Sequence, residues 1–324
     1  MVAAGHTIWL CPGQGAQKVG MAKDLAARFP AARDALGAID ETLGVPLSRL
    51  MFDGPEDELT ATHNAQPAIL AHSAAVFAVL DPATSGTAVA AAGHSLGEYS
   101  AYVTAGALPA TAAAALVRRR GELMHQAGTA RPGTMAAVLG LATAEVEAAC
   151  REASTGDAVA VPANLNAPDQ TVISGDPDAV SRAGDACKRR GAKRVIPLKV
   201  SGAFHSPLMA PAANQLRVAL EHAPFRDPAF PVVANATAEP VREASRARRL
   251  LTDQLTAPVR WVDCMRRAAE LAAEGEGEGE GEGSRFIEIG PGNVLAGLLR
   301  RSVAGASVTS LGTADEVTRF LEAA

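Results

Sequence analysis

The chain has 324 residues and a formal net charge of -5, with 30 Lys plus Arg against 35 Asp plus Glu. That length can bury a sizeable core in one or two domains, the acidic balance argues against general nucleic-acid affinity, and no uninterrupted apolar span reaches membrane length. Its 4 cysteines, Cys11, Cys150, Cys187 and Cys264, lack the spacing of a metal site or a disulfide framework, so reduced thiols and no bound metal are expected.

Residues 1–10 carry no basic, cleavable signal pattern, so a cytoplasmic protein is expected. Residues 8–10 read as a strand, Pro12-Gly13-Gln14-Gly15 as a Gly-rich connection, and 19–29 as an amphipathic helix. The alanine-rich 88–92 is poor strand material by propensity; its position before the next motif is what supports a strand there. That motif is Gly93-His94-Ser95-Leu96-Gly97, with a helix-compatible run from Glu98. A serine between glycines on a sharp strand-to-helix turn is the pattern of a nucleophile elbow, where the missing Cβ atoms relieve crowding. Ser95 is therefore the candidate nucleophile, with an ordinary Gly-Ser turn as the blander alternative. The free amides of the helix beginning near Leu96 suit a developing oxyanion, and the loop at Gln14 is the best source of a second donor. His94 is expected to point away from the serine hydroxyl and pack the elbow. A further helix begins near Pro109 and carries Arg118, Arg119 and Arg120; the first two read as a solvated face.

From 133 to 199 the order is strand (135–139), helix (143–154), strand (159–165), strand (170–174), helix (177–190) and strand (193–198). This βαββαβ order is ferredoxin-like. The fold class is α/β: a large α/β-hydrolase-like lobe with a parallel sheet and the elbow, made of 1–132 and 200–324, and a small inserted lobe, 133–199. The site should lie in the cleft between them. Ser201-Gly202-Ala203-Phe204-His205-Ser206-Pro207 follows the last of these strands, and loops at carboxyl ends of strands are where α/β folds place chemistry, so His205 is the candidate base. Of the 7 histidines, His222 ends the next helix, 208–221, where it complements the helix dipole. Asp157, Asp169, Asp176, Asp178 and Asp185 lie between serine and histidine, yet none has a convincing setting as a triad acid. The run 274–283 alternates Glu and Gly and reads as a solvated loop.

Several of these stretches, in order, resemble the malonyl-CoA:acyl carrier protein transacylases and the acyltransferase domains of polyketide synthases. They are the Pro12 to Gln17 loop, Gly93-His94-Ser95-Leu96-Gly97-Glu98-Tyr99-Ser100-Ala101, Leu116-Val117-Arg118-Arg119-Arg120-Gly121, Asn164-Leu165-Asn166-Ala167-Pro168, Gly202-Ala203-Phe204-His205-Ser206-Pro207-Leu208-Met209, Gln254-Leu255-Thr256-Ala257-Pro258-Val259-Arg260-Trp261 and Ile287-Glu288-Ile289-Gly290-Pro291-Gly292. The resemblance implies that Ser95 attacks a malonyl thioester with His205 as base. The oxyanion would be held by the backbone amides of Leu96 and Gln14, and the imidazole by the main-chain carbonyl of Gln254 in place of a carboxylate. Arg120 takes the substrate carboxylate in this reading, and its planar fork matches such a group two-on-two. Phe204, bulky before the histidine, goes with unbranched malonyl, and Leu96 agrees; Phe204 also fits a core role. Tyr102 stands where a smaller aliphatic residue is usual.

Implied partners are malonyl-CoA, CoA and an acyl carrier protein whose phosphopantetheine thiol accepts the acyl group; no metal or redox cofactor is implied, and a monomer is expected. Carrier proteins of this family are usually acidic, so Lys188, Arg189, Arg190, Lys193 and Arg194 form a candidate docking surface, with a solvated helix end as the alternative. Two other function classes stay open: a serine thioesterase or esterase, and a non-catalytic carrier-binding component of a synthase. Fatty-acid and polyketide duty use the same chemistry and are not distinguished.

Overall fold

The computed structural model describes residues 6–84, 86–274 and 285–323; of the Glu/Gly run, only Glu274 lies within the described residues. The chain opens on β1 (Thr7–Cys11), then α1 (Lys23–Arg28), α2 (Pro30–Leu43), α3 (Leu47–Asp53), α4 (Glu56–Thr60) and α5 (Thr62–Thr84). β2 (Ala88–Gly93), α6 (Gly97–Thr104) and α7 (Ala110–Ala130) follow. Next come β3 (Thr134–Leu139), α8 (Thr143–Ala153), β4 (Ala160–Ala167), β5 (Gln170–Gly175), α9 (Pro177–Arg189) and β6 (Arg194–Pro197). The remainder is α10 (Ala210–His222), β7 (Val232–Val233), β8 (Pro240–Val241), α11 (Ala244–Asp253), α12 (Trp261–Glu274), β9 (Arg285–Ile289), α13 (Val294–Ser302), β10 (Val308–Leu311) and α14 (Ala314–Ala323).

One sheet has the order β10-β9-β1-β2-β7-β8 and is parallel except for the β7–β8 hairpin at its edge. Its central strands are apolar on both faces because helices cover both. Side chains alternate accordingly: Ile8, Leu10, Ala90 and Ala92 pack with Trp261, Cys264 and Leu295, whereas Trp9, Cys11 and Ala91 pack with the helices of the opposite layer. Each fully buried Leu or Ile in these layers contributes about 1.5–3 kcal/mol. The alanines of β2, unfavourable by propensity, let α6 and α12 lie directly against that strand. Cys11 pairs with Gly93, so β1 and β2 end at one level and the loops that leave them meet. Helix α1 begins only at Lys23, later than the expected 19, because Gly20 at φ 92° and Ala22 at φ 60° take left-handed backbone that a right-handed helix excludes. Tyr102 is fully buried, its ring edge-on to Phe225 at 5.5 Å, so α6 packs around the larger side chain.

The second sheet has the order β4-β5-β3-β6 and is antiparallel throughout, with α8 and α9 burying Val146, Cys150, Val180 and Cys187 against Val138 and Ile173. Its outer strand β4 is stitched to the segment that leads into α12: Leu165 N–H donates to the Val259 carbonyl and Val259 N–H to that of Ala163, each at 2.8 Å. β4 therefore delivers Asn164, 7% exposed, to the seam between the sheets. Among the described residues no helix is long and apolar enough to cross a membrane.

Candidate active site

The turn after β2 is built by exclusion. A Cβ on Gly93 would lie 1.9 Å from the Gly97 carbonyl oxygen, and one on Gly97 would lie 2.2 Å from that of Cys11. Only glycine lets strand, turn and helix close this tightly, and Ser95 at the apex takes φ 54°, a strained value for a serine. The Ser95 amide is held by Asn235 Oδ1 at 2.7 Å. His94 turns aside, as expected: its Nε2 meets Asn166 Oδ1 at 2.8 Å and its ring stands edge-on to Trp261.

Ser95 Oγ lies 2.8 Å from His205 Nε2, and His205 Nδ1 lies 2.8 Å from the main-chain oxygen of Gln254. A carbonyl only accepts, so Nδ1 carries the proton and Nε2 offers its lone pair to the serine hydroxyl. Burial, and then the charge of Arg120, push the imidazole from its ordinary 6.5 down to about 3, against the raising effect of the Gln254 carbonyl. The ring is therefore neutral, with its Nε2 lone pair directed at the serine hydroxyl. None of the five intervening aspartates bonds it: Asp176 pairs with Arg131, and Asp169 with Arg301.

Arg120 comes from α7 and is 1% exposed. Its Nη1 donates to Gln66 Oε1 at 2.6 Å, and its Nη2 donates to Ser95 Oγ and to Gln254 Oε1, both at 3.0 Å. Among the described residues no carboxylate pairs with it, and its buried Nε has no partner. Burial lowers its affinity for a proton, yet a guanidinium stays charged. Its neighbours differ: Arg119 is exposed, whereas Arg118 is half-buried, donating to Asn64 Oδ1 and pairing with Glu122.

Ser95, Arg120 and His205 share a cavity of about 280 Å³ lined also by Gln14, His94, Met135, Asn164 and Phe204. Phe204, 6% exposed, belongs both to this wall and to the main core. Among the described residues the main-chain N–H groups of Gln14 and Leu96 donate to no protein acceptor. His205 also borders a second opening, of about 540 Å³, against Val161, Leu165 and Pro207. All seven residues singled out in the sequence, Gln14, Ser95, Leu96, Arg120, Phe204, His205 and Gln254, thus fall in one neighbourhood.

Three contributors went unassigned in the sequence. Gln66 braces Arg120 from α5. Asn235 follows β7, where a polar residue after the apolar Pro231-Val232-Val233-Ala234 was the available signal. Glu98, visible in the elbow motif, is fully buried; its Oε2 accepts from Asn235 N–H at 3.0 Å and from Gln254 Nε2 at 2.7 Å. Burial raises its carboxyl to about 7, against the lowering effect of those hydrogen bonds and of Arg120.

A family model described as an acyl transferase domain matches residues 8–322. The malonyl CoA-acyl carrier protein transacylase of Bacillus subtilis (strain 168) is 44% identical over 294 residues, 90% of this chain and 89% of that protein. Its counterpart in Escherichia coli (strain K12) is 40% identical over 311 residues, 96% of this chain and 97% of that one. A solved malonyl-transacylase, in complex with a type II PKS acyl-carrier protein, is similar at TM-score 0.90 and 39% identity, covering 99% of this chain and 100% of that chain. With elbow, imidazole and buried guanidinium meeting in one cavity and the likeness running almost end to end, the chain belongs to the acyl transferase family, among the malonyl CoA-acyl carrier protein transacylases.

Proposed function

We propose that this chain moves a malonyl group from malonyl-CoA to the phosphopantetheine thiol of an acyl carrier protein through a malonyl-Ser95 ester, supplying extender units for fatty-acid or polyketide synthesis. One observation carries the reading: the Arg120 guanidinium is buried, 3.0 Å from the serine hydroxyl, and has no carboxylate partner among the described residues. A malonyl group on Ser95 brings the missing anion; an acetyl group has none. The named relatives and the solved carrier complex point the same way.

In the first stage Ser95 Oγ attacks the thioester carbon while its proton passes to His205 Nε2. The oxyanion settles between the N–H groups of Leu96 and Gln14, and losing one such donor typically costs about a hundredfold in rate. Collapse expels the CoA thiolate, which takes the proton from His205. In the second stage His205 accepts the proton of the carrier thiol, the sulfur attacks the serine ester, and the tetrahedral intermediate releases Ser95 with that proton restored. Gln254 holds the imidazole by its carbonyl, and Phe204 limits room at the acyl α-carbon. Every step is a proton or acyl transfer, so this reading assigns no metal or redox cofactor.

The same reading describes residues 1–132 and 200–324 as an α/β-hydrolase-like lobe and 133–199 as a ferredoxin-like one, supported by the elbow and by the strand order β4-β5-β3-β6. Four free, buried cysteines fit a reducing cytoplasm.

The test is mass spectrometry of the protein mixed with malonyl-CoA, repeated with Arg120→Ala. A long-lived adduct on Ser95 is expected, and the variant should lose about 2–5 kcal/mol of transition-state binding for malonyl-CoA while changing little toward acetyl-CoA. No adduct, or rapid release of free malonate, would overturn the reading in favour of a binding component or a hydrolase.

A further inference from the structure

We propose that Glu98 is a positioning residue for malonyl selection: its carboxylate locks the side-chain amide of Gln254 and the main chain at Asn235, and through them aims Arg120 and Ser95. The proposal rests on the reading of Ser95 as the malonylated residue.

Gln254 touches each of the three groups that would do the chemistry. Its main-chain oxygen accepts from His205 Nδ1, its Oε1 accepts from Arg120 Nη2, and its Nε2 donates to the Ser95 main-chain oxygen at 3.0 Å and to Glu98 Oε2 at 2.7 Å. A side-chain amide has a donor end and an acceptor end, so which end faces Arg120 decides whether that residue is held or repelled. Arginine only donates, and Glu98 Oε2 already accepts from a main-chain N–H, so it meets the Gln254 amide as an acceptor. With Glu98 and the Ser95 carbonyl taking the amino end, the carbonyl end is left for the guanidinium, whose Nη2 is the same nitrogen that reaches Ser95 Oγ.

The second arm runs to the nucleophile. Glu98 Oε2 also accepts from Asn235 N–H at 3.0 Å, and the Asn235 side chain accepts from Ser95 N–H at 2.7 Å while donating to the Gly93 carbonyl at 2.8 Å. One carboxylate oxygen therefore braces the elbow and the guanidinium together. Glu98 and Gln254 lie 156 positions apart in the chain and Glu98 and Asn235 lie 137 apart, both fully buried contacts. A carboxyl group at this depth is costly unless it is hydrogen-bonded; both bonds Glu98 makes fall on Oε2 and lead to the reacting groups, while its buried Oε1 has no partner among the described residues.

The experiment measures acylation of Ser95 by malonyl-CoA and by acetyl-CoA in wild type, Glu98→Gln, Glu98→Asp and Glu98→Leu, with folding checked by circular dichroism. Acetyl has no carboxylate for Arg120, so the malonyl-to-acetyl ratio of kcat/KM reports the aim of the guanidinium rather than general damage. Glu98→Gln can still present an oxygen to both donors and should keep the ratio within about threefold, whereas Glu98→Asp, one methylene short, should lose up to about a hundredfold. Glu98→Leu should fall with both substrates, further with malonyl. The proposal is overturned if Asp keeps the ratio and Gln loses it, or if a folded Leu variant matches wild type. If Leu does not fold, the Gln and Asp pair still decides. A wild type that forms no malonyl-Ser95 would sink the functional reading as well, whereas normal wild-type acylation with an unmoved ratio in every variant would sink this inference alone.

Discussion

At His205 two effects act in the same direction: burial first, then the Arg120 charge, taking the imidazole to about 3 from its ordinary 6.5. A lowered value means the neutral form persists as pH falls, and in the proposed mechanism it is the neutral form that accepts the serine proton. A proton taken up by Glu98 near pH 7 has the unpartnered Oε1 to sit on and leaves Oε2 accepting, so the kcat/KM for acylation by malonyl-CoA should stay flat from pH 8 to about pH 5, where an imidazole at 6.5 would already have lost about thirtyfold. Rapid-quench measurement of the Ser95 adduct across that range checks this. An acid limb centred near 6.5 would mean that the ring is solvated during turnover. Arg120→Ala removes one lowering influence, so its limb should move toward higher pH, whereas Arg120→Lys should hold it in place.

At the scale of elements the elbow depends on what is absent from Gly97. Its missing Cβ leaves the room that the Cys11 carbonyl occupies, and that oxygen belongs to the central strand β1, which cannot yield. Gly97→Ala should cost about 1–3 kcal/mol, with loss of activity as the turn opens. Gly37, exposed within α2 with nothing near its Cβ position, is the counterpart: Gly37→Ala should gain about 0.5–1 kcal/mol by removing a flexible residue from a helix. Thermal unfolding of the pair should move in opposite directions; shifts of equal sign would refute the crowding argument. The same contrast explains what the chain discloses about itself. Ser95 and His205 stand in motifs a few residues long, and β3 to β6 alternate in a regular pattern, so both are legible locally. Helix α5 is covered nearly all round, which leaves no polar stripe to mark its period, and β7 and β8 are two residues each. Glu98, Asn235 and the side chain of Gln254 act only through contacts made across more than a hundred positions, which no local pattern encodes. Arg120 sits in a run of three arginines that looks solvated, and only its register in the family separates it from Arg118 and Arg119.

For the whole molecule, a net charge of -5 repels an acidic carrier at long range, so docking must rely on a local patch. The five basic residues from 188 to 194 are not equivalent. Lys188 pairs with Asp185, Arg189 with Glu152, and Arg190 with Glu152 and Glu145, so the field of the helix end is largely offset. Lys193 and Arg194, exposed at the start of the edge strand β6, make no ion pair among the described residues; Lys199, also exposed, lies past the other end of that strand and lines the Ser95 cavity. The unpaired basic charge is thus shifted from α9 toward the two ends of β6. Charge reversal at Lys193 or Arg194 should raise the KM for carrier protein about fivefold each at low salt, with the effect fading as ionic strength rises, and should leave acylation by malonyl-CoA unchanged. Arg189→Glu should do less, because its present charge is already balanced by Glu152. Steady-state kinetics with each substrate varied in turn separates these outcomes. A parallel rise in both KM values would mean that the patch serves CoA as well, and a dominant effect at Arg189 would return the docking surface to the helix end.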